Sequence, residues 1–337
     1  MEGWDWFQGA TGNGDYSFPH SLFRVAIGQP RGGFDWQLEG VQDSILGLPS
    51  DSAVAAPQGH LGLGATYFAA NGNRRNNASG FVKQAYIRWK RLGNGNLRIG
   101  RFEYLDGMEL SPNDATLATL VQTRIAQRLI GNFGWAAVGR SLDGAHFSYN
   151  FGTTNLTLVG GRPTRGVFQT DGMGELDIDL YYGALTAPVP ARSGVGHLRI
   201  FGLGHIDRRR SVLKTDNRPV SVRESDREQI RVATLGANYL HVVNTDAFGQ
   251  FNVVLWGAFQ TGSWGRLAHR AGAFFGEFGW QPPVQAWKPW LSAGYSYGSG
   301  DGDPGDGRHG TYFQVLPTPV KGGIKANQRG GEKIDHC

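Results

Sequence analysis

Apolar and polar residues alternate along most of the chain. At the start of the segment Phe34–Leu46, aromatic and aliphatic residues share one face, while Asp35, Gln37 and Glu39 share the other. A period of two indicates a β-strand with one apolar and one polar face. This pattern predicts about 14 strands, at Ser21–Gly28, Phe34–Leu46, Leu61–Ala69, Phe81–Arg91, Leu97–Tyr104, Phe133–Arg140, Ala145–Gly152, Leu156–Arg162, Leu176–Thr186, Val195–Asp207, Ile230–Val243, Phe251–Gly262, Ala268–Gln281 and Trp287–Gly298.

The lengths of these strands and of their connections predict an antiparallel transmembrane β-barrel. A tilted strand needs roughly ten residues to cross an apolar layer, and most of the candidates have that length. The long polar connections Asp207–Glu228 and Gly300–Gly310 lie an even number of connections apart, so they share one side. We therefore expect an all-β fold, an incomplete barrel of about 16–18 strands with one short helix in a loop. No stretch approaches roughly 18 consecutive apolar residues, which excludes helical membrane proteins.

One segment, Ser111–Asn132, breaks the alternation. It starts with a serine, followed by Pro112 and by Asp114, and it has a glycine near its end. These residues are typical of helix ends. Its apolar residues lie on one stripe together with Arg124 and Arg128. The pattern predicts a short helix that packs against or into the barrel mouth, with the arginines either lining the lumen or simply solvated.

The charge of the chain points to an anionic partner. The net charge is +5 at pH 7, and 26 of the 33 basic residues are arginine. Arginine binds carboxylate or phosphate groups through two hydrogen bonds, although a GC-rich genome accounts for the bias equally well. The 52 glycines, 10 tryptophans and 11 tyrosines favour the all-β interpretation.

Arginines set among apolar strand residues are the candidate substrate-binding residues. If the apolar face of each strand meets lipid, the polar face lines a lumen, where guanidinium groups attract a polyanion. The face of Arg231 is not determined, because its neighbours are apolar on both sides. We predict a basic lumen lining made of Arg88, Arg98, Arg101, Arg124, Arg128, Arg140, Arg162 and Arg199.

Carboxylates interleaved with these arginines leave a second interpretation open. We expect Glu103, Asp177, Asp179 and Glu277 to pair with arginines of the lining. Such a ladder could serve only to stabilise the barrel. A pore that moves substrate uses both kinds of group, since the unpaired arginines have to bind the substrate weakly enough to release it.

Other candidate chemistry is sparse. Asp301, Asp303 and Asp306 give one loop some likeness to a calcium site, but their spacing departs from the EF-hand pattern, so a weak cation site and a solvated loop both stay open. The single cysteine, Cys337, allows no disulfide within the chain. The sequence carries no nucleophile elbow, phosphate-binding loop or zinc-protease motif, so we predict neither an enzyme nor a cofactor.

A series of short motifs runs from Leu97 to Thr318. They are LRIGRFEYLDGMEL, RIAQRLIGNFGW, GRSLDG, VATLGANY, LWGAFQTGSWG, and KPWLSAGYSYGSGDGDPGD followed by TYFQVLPT. In this order they resemble the alginate export family of outer-membrane β-barrels, with Leu142 where phenylalanine is usual. The resemblance implies a barrel that passes a polyuronate chain across the outer membrane without a cofactor. It also implies that the basic lumen lining includes Arg98, Arg101, Arg124, Arg128 and Arg140.

These inferences combine into one functional expectation. We expect an outer-membrane porin or exporter of a Gram-negative bacterium that passes an anionic, alginate-like polysaccharide by passive diffusion. Its expected partners are an anionic polysaccharide or oligosaccharide, outer-membrane lipid and periplasmic export components, and no nucleic acid. The alternatives are a general or uptake porin for small organic anions and a soluble β-rich carbohydrate-binding protein.

The expected domain boundaries leave one barrel domain, residues 21–318. Residues 1–20 form an N-terminal remnant in which no basic region and no apolar core of a signal peptide is present. Residues 319–337 form a polar tail that lacks the terminal aromatic residue of barrel-closing strands. We expect the chain to be truncated at both ends.

Overall fold

The fold is built almost entirely from β-strands. The computed structural model describes residues 2–5, 11–54, 59–191, 193–284 and 286–316. The strands are β1 (Glu2–Asp5), β2 (Asp15–Phe18), β3 (His20–Arg31), β4 (Phe34–Ile45), β5 (Asn77–Leu92), β6 (Gly95–Phe102), β7 (Leu142–Phe151), β8 (Thr154–Pro163), β9 (Ile178–Pro190), β10 (Val195–Asp207), β11 (Ile230–Thr245), β12 (Gly249–Trp264), β13 (Leu267–Gln281), β14 (Leu291–Gly298) and β15 (Arg308–His309). The short helices are α1 (Gly62–Ala70), α2 (Ala115–Leu120), which continues into a π-helical turn (Val121–Ile125), and α3 (Val220–Ser225).

The main sheet follows the order of the sequence. Strands β3 to β14 each pair antiparallel with their sequence neighbours, and β15 adds a short parallel pairing with β13, which makes a 13-stranded sheet. A separate hairpin joins β1 and β2. Strands β3 and β14 are the two edges of the sheet and do not pair with each other in the described residues. The fold class predicted from the alternation, all-β and antiparallel with a short helix, is confirmed.

The longest connections of the main sheet all lie at one end of the strands. The turns between β3 and β4, β5 and β6, and β7 and β8 each contain two residues. The long connections, residues 46–76, 103–141, 164–177, 208–229 and 299–307, all emerge at the other end. Two of them meet there, because the Asn217 side chain donates to the Asp301 carbonyl over 3.1 Å. This arrangement confirms that the connections around residues 207–228 and 300–310 share one side.

The two faces of the sheet differ in character. In β4, Phe34, Trp36 and Leu38 are exposed on one face, while Asp35 and Glu39 are buried on the other. We name the first the outward face and the second the inward face. An exposed large apolar residue lies on the outward face of every strand from β3 to β14: Phe23, Trp36, Ile87, Ile99, Phe151, Leu158, Leu185, Ile200, Leu235, Phe259, Phe274 and Tyr295.

A long connection, residues 103–141, covers the inward face and is named here the inner segment. It contacts distant strands, through Glu103 to Lys83 of β5, Asp106 to Arg199 of β10 and other pairs as far as β13. In a flat sheet, strands β5 and β13 would lie about 38 Å apart. We infer that the sheet curves around the inner segment. The largest apolar cluster forms between this segment and the inward faces of β7 to β13.

Two predicted strands are wrong. Leu61–Ala69 was expected to be a strand but lies mostly in α1, where Tyr67 and Phe68 are both buried against Phe18, although neighbouring strand residues would point to opposite faces. Phe133–Arg140 has no strand pairing beyond one isolated bridge at Gly139. Most of its residues are buried without alternation, although Trp135 is 51% exposed, and the positive φ of Phe133, 52°, interrupts an extended backbone.

The predicted helix Ser111–Asn132 is much shorter than expected. Asp114, rather than Ser111, caps it, since its carboxylate accepts the amide of Leu117 over 2.8 Å. The helix ends before Gln127, which has a positive φ of 64°. After Gln127, the amides of Leu129 and Ile130 donate to Asp106 Oδ1. The carboxylate of Asp106 thus replaces the helical hydrogen bonds that would have continued the element.

Other expectations fall outside the described residues or are left open. No helix among the described residues is long and apolar enough to cross a membrane. The tail 319–337 and part of the remnant 1–20 lie outside the described residues. The described remnant contributes β1 and β2.

Candidate functional site

Three of the predicted lumen arginines lie on the inward side and are neutralised by carboxylates, two of them by carboxylates of the strands. Arg88 of β5 binds Asp35 of β4 over 2.6 Å, and Lys90 binds the same carboxylate over 2.7 Å. Arg124 of the inner segment binds Glu277 of β13 over 2.9 Å. These pairs match the interpretation in which the carboxylates form a stabilising ladder.

Arg199 of β10 is the most deeply buried of the predicted arginines. Its guanidinium group lies 2.9 Å from Asp106 and 3.4 Å from Glu109, both on the inner segment. The hydroxyls of Tyr182 and Tyr104 donate to Glu109 Oε1 over 2.6 Å and 3.2 Å. A buried charge is tolerated only when it is paired and hydrogen-bonded in this way. The cluster therefore fixes the inner segment to the wall.

Three inward-side arginines have no carboxylate partner among the described residues: Arg98, Arg128 and Arg140. Each lies over an aromatic ring instead. The guanidinium carbon of Arg98 is 4.2 Å from the ring centre of Phe102, that of Arg128 is 4.4 Å from Phe275, and that of Arg140 is 5.6 Å from Phe133. Arg98 also contacts His146 over 3.1 Å. Their charge is therefore not cancelled by an ion pair.

Arg101 and Arg162 were expected to face the lumen, and this placement is wrong. Arg101 of β6 pairs in register with Asp143 of β7, which pairs with Arg162 of β8, and all three lie on the outward face near the long connections. Arg101 binds Asp143 over 2.6 Å. Near the ends of the strands, polar side chains occupy the outward face as well, so alternation alone does not identify their side.

The predicted carboxylate partners behave differently from one another. Glu277 binds Arg124, and Asp179 binds Arg162 over 2.8 Å and Arg208 over 2.5 Å. Glu103 pairs with Lys83 rather than with an arginine, over 3.1 Å. Asp177 is exposed and has no ion pair in the part of the chain that the structure describes.

Sequence reasoning missed the residues that hold the inner segment. Lys83 has a side chain only 2% exposed, and it donates to the Val138 carbonyl over 2.9 Å. The register of β4 and β5 shifts beside it, between Glu39 and Gly40. Asp106 and Glu109 were not predicted as partners of Arg199. An acidic pair just before a predicted helix is a signal that could have pointed to a buried arginine.

A row of polar residues crosses the inward face. Thr186, Arg199, Asn238 and Trp256 are successive cross-strand neighbours on β9 to β12, and His197 lies two residues from Arg199. Each carries a buried nitrogen or oxygen atom with no hydrogen-bond partner among the described residues. Buried polar atoms of this kind bind water or the polar groups of a solute. Because these atoms are enclosed, the row is suited to hold internal water molecules rather than to contact a passing solute.

The acidic loop does not form a metal site in the structure. Asp301, Asp303 and Asp306 were considered as weak cation ligands, but no group of three or more such residues comes together in the described ranges. Asp303 accepts the Gly305 amide over 2.9 Å, and Asp306 accepts the Arg308 amide over 2.8 Å. These bonds order the turns of a solvated loop.

A buried ionic cluster stabilises the connection between β10 and β11. Asp226 accepts from Arg218 over 2.9 Å and from the Arg266 amide over 3.0 Å. Burial raises the pKa of Asp226, but the bonds from Arg266, Arg218 and the Glu228 amide outweigh it and hold the pKa below its ordinary value. The cluster ties this connection to the turn between β12 and β13.

Comparisons with known proteins concern the fold alone. No family model matches the sequence, and no match is found among curated proteins. The fold is similar to that of OccK9 (OpdG) of Pseudomonas aeruginosa, with 10% identity, a TM-score of 0.49, and coverage of 88% of this chain and 64% of that one. It is also similar to OccAB1 of Acinetobacter baumannii, with 10% identity, a TM-score of 0.42, and coverage of 88% and 77%. OmpT, an outer membrane protein of Vibrio cholerae, gives 10% identity, a TM-score of 0.32, and coverage of 84% and 86%.

The similarity to these neighbours is too low to indicate a function. At this identity and with TM-scores below 0.5, the neighbours do not identify a substrate. The chain spans 64% of the length of the OccK9 chain. The specific resemblance to the alginate export family gains no support from these neighbours and stays a prediction.

Proposed function

We propose that the chain forms the wall of a bacterial outer-membrane β-barrel that acts as a channel rather than as an enzyme. The observation that carries the proposal is the exposed apolar residue on the outward face of every strand from β3 to β14. A contiguous apolar surface of this extent is costly in water and suits a lipid environment. In mid-strand the inward face carries charged and hydrogen-bonding residues such as Arg98, Arg199 and Glu277, beside the apolar cluster that packs on the inner segment.

We further propose that the cargo is an anionic saccharide of the polyuronate type. Arg98, Arg128 and Arg140 supply positive charge on the inward side that no carboxylate cancels. Arg98 and Arg128 are partly exposed and already contact an aromatic ring, so they would bind a passing carboxylate weakly enough to release it. Arg140 is buried and contributes only its charge. The motifs that resemble the alginate export family favour the same cargo.

Conductance in planar lipid bilayers tests the channel. We expect an anion-selective current, because the unpaired arginines raise the local anion concentration. Arg128→Gln should lower the ratio of anion to cation permeability about twofold or more. The charge-neutral double variant Arg124→Gln with Glu277→Gln is the matched control and should keep the ratio. A cation-selective or permanently closed pore would contradict the proposal.

Blockade experiments separate the two kinds of cargo. Polymannuronate should reduce the small-ion current of the wild type, while the monomeric sugar acid at the same carboxylate concentration should not. Equal blockade by polymer and monomer would favour an uptake porin for small organic anions. Expected partners such as periplasmic export components stay a prediction.

The soluble carbohydrate-binding alternative is not favoured. It would expose the side chains of Phe23 (65%), Leu235 (66%) and Tyr295 (66%) to water. Detergent phase separation tests it, since a membrane wall should partition into the detergent phase. Recovery of the folded protein in the aqueous phase would support the soluble alternative.

A further inference from the structure

An arginine-lined groove lies on the outward side at the long-connection end of β11 and β12. Its volume is about 280 Å³, and Arg210, Arg227, Arg231 and Ser263 contribute to its lining. The same lining contains a single acidic residue, Glu228. A concave surface with this excess of guanidinium groups is suited to bind an anion.

The arginines of the groove are not neutralised by the chain. Arg210, Arg227 and Arg231 are exposed, and none of them forms an ion pair within the described ranges. Arg231 donates to the neutral Gln229 over 2.9 Å, and Arg227 donates to the Arg210 carbonyl over 3.2 Å. Neutral partners position these side chains without cancelling their charge. This contrasts with Arg162, which has the same outward orientation but is bound to Asp179.

The groove lies on the same face of the sheet as the apolar outward surface. Arg231 and Leu235 share the outward face of β11 and lie about 13 Å apart along the strand. Leu235 is 66% exposed and pairs with Phe259 of β12, which is 45% exposed. The guanidinium group of Arg270 lies 5.8 Å from the ring centre of Phe259. One ligand could therefore meet cationic side chains at one end and apolar side chains at the other.

We propose that this groove binds the phosphate group of a phosphorylated membrane lipid, whose acyl chains lie over Leu235 and Phe259. The inference rests on the proposed membrane location and adds a specific lipid site to it. A free anion would use only the arginines, and a neutral lipid would use only the apolar surface. The combination selects an amphiphile with a phosphate head group.

Native mass spectrometry of the detergent-solubilised chain tests the site with phosphatidic acid as the probe. Diacylglycerol with the same acyl chains and inorganic phosphate serve as the comparison ligands. We expect the wild type to retain phosphatidic acid in preference to both. Arg227→Gln and Arg231→Gln should each weaken its binding about tenfold, because each removes a charged hydrogen bond to phosphate. Arg91→Gln removes an exposed arginine at the short-turn end and should leave binding unchanged.

The other outcomes overturn the inference in distinct ways. Equal retention of diacylglycerol would show that apolar contact alone holds the lipid, and equal retention of inorganic phosphate would assign the groove to a free anion. Equal weakening by Arg91→Gln would reduce the effect to net charge. Bilayer conductance of the same preparations separates this inference from the proposed function. Ion currents without a preference for phosphatidic acid overturn only the lipid site, whereas failure to insert overturns the channel.

Discussion

At the scale of single residues, the surroundings of an arginine decide its role. Arg199 is enclosed by Asp106, Glu109 and two tyrosines, so its charge holds the inner segment in place. Arg128 lies on the same side of the sheet but rests on an aromatic ring without a carboxylate partner. The first is suited to stabilise the fold, and the second is available to a passing anion.

Arg199→Met should destabilise the protein strongly. The substitution would leave the Asp106 and Glu109 carboxylates buried without their cation, at a cost of about 3–5 kcal/mol in the free energy of unfolding. Arg88→Met is the control, because its side chain is 36% exposed and Asp35 would keep Lys90, so the loss should be about 1 kcal/mol or less. Urea unfolding followed by tryptophan fluorescence measures both. Equal losses for the two variants would contradict the assigned role of Arg199.

Alternation in the sequence predicts the side of a residue in mid-strand but not its partner. Arg98 faces inward as its position between Leu97 and Ile99 predicts. Arg162 lies near the end of its strand between Gly161 and Pro163, which do not mark a lipid-facing side, so its sequence does not reveal that it lies outward beside Asp179. The binding of Arg199 to Asp106 joins residues 93 positions apart, and no local pattern contains that information.

At the scale of elements, the sequence predicts the strands of the main sheet well and the structure of the long connections poorly. The strands of the main sheet are visible because one face meets the interior and the other does not, which imposes a period of two. Leu61–Ala69 and Phe133–Arg140 are mostly covered by the rest of the fold, although Trp135 is 51% exposed. Their burial does not alternate between two faces, so tertiary contacts decide the backbone conformation there.

Asp226→Asn should loosen the connection between β10 and β11. The side chain of Asp226 is fully buried, and loss of its charge weakens the bonds to Arg218 and Lys214, at a cost of about 1–3 kcal/mol to the local order. Amide hydrogen exchange of residues 208–229 measures the change. Asp246→Asn, in the exposed turn at the opposite end, is the control and should leave that exchange unaltered.

Acid should have the same effect on this connection in the wild type. The folded pKa of Asp226 lies below the ordinary aspartate value of 3.8, so its stabilising contribution is present above pH 3.8. It is lost as the pH falls through the lower, folded pKa. Exchange of the connection, corrected for intrinsic rates, should therefore accelerate in that acid range. If Asp226→Asn shows the same acid dependence, another group is responsible.

At the scale of the whole molecule, the exposed apolar residues of the outward surface favour a lipid environment over water. Ile200 lies near the middle of β10 on that surface and is 55% exposed. Ile200→Arg would cost little in water, but in a bilayer it should lower the free energy of unfolding by about 2–4 kcal/mol. Phe248→Arg, in an exposed turn, should cost about 0–1 kcal/mol. Refolding into lipid vesicles under urea titration compares them, and equal costs would argue against a membrane-spanning wall.

The pairing of β6 with β7 has a consequence for how this protein can evolve. The two strands stay in register from Gly95 opposite Tyr149 to Phe102 opposite Leu142, although the 39 residues of the inner segment connect them. The backbone hydrogen bonds between β6 and β7 are therefore made by residues outside that connection. Selection can rewrite the selectivity of the passage by changing one insertion, while the scaffold that has to assemble in the membrane is inherited unchanged.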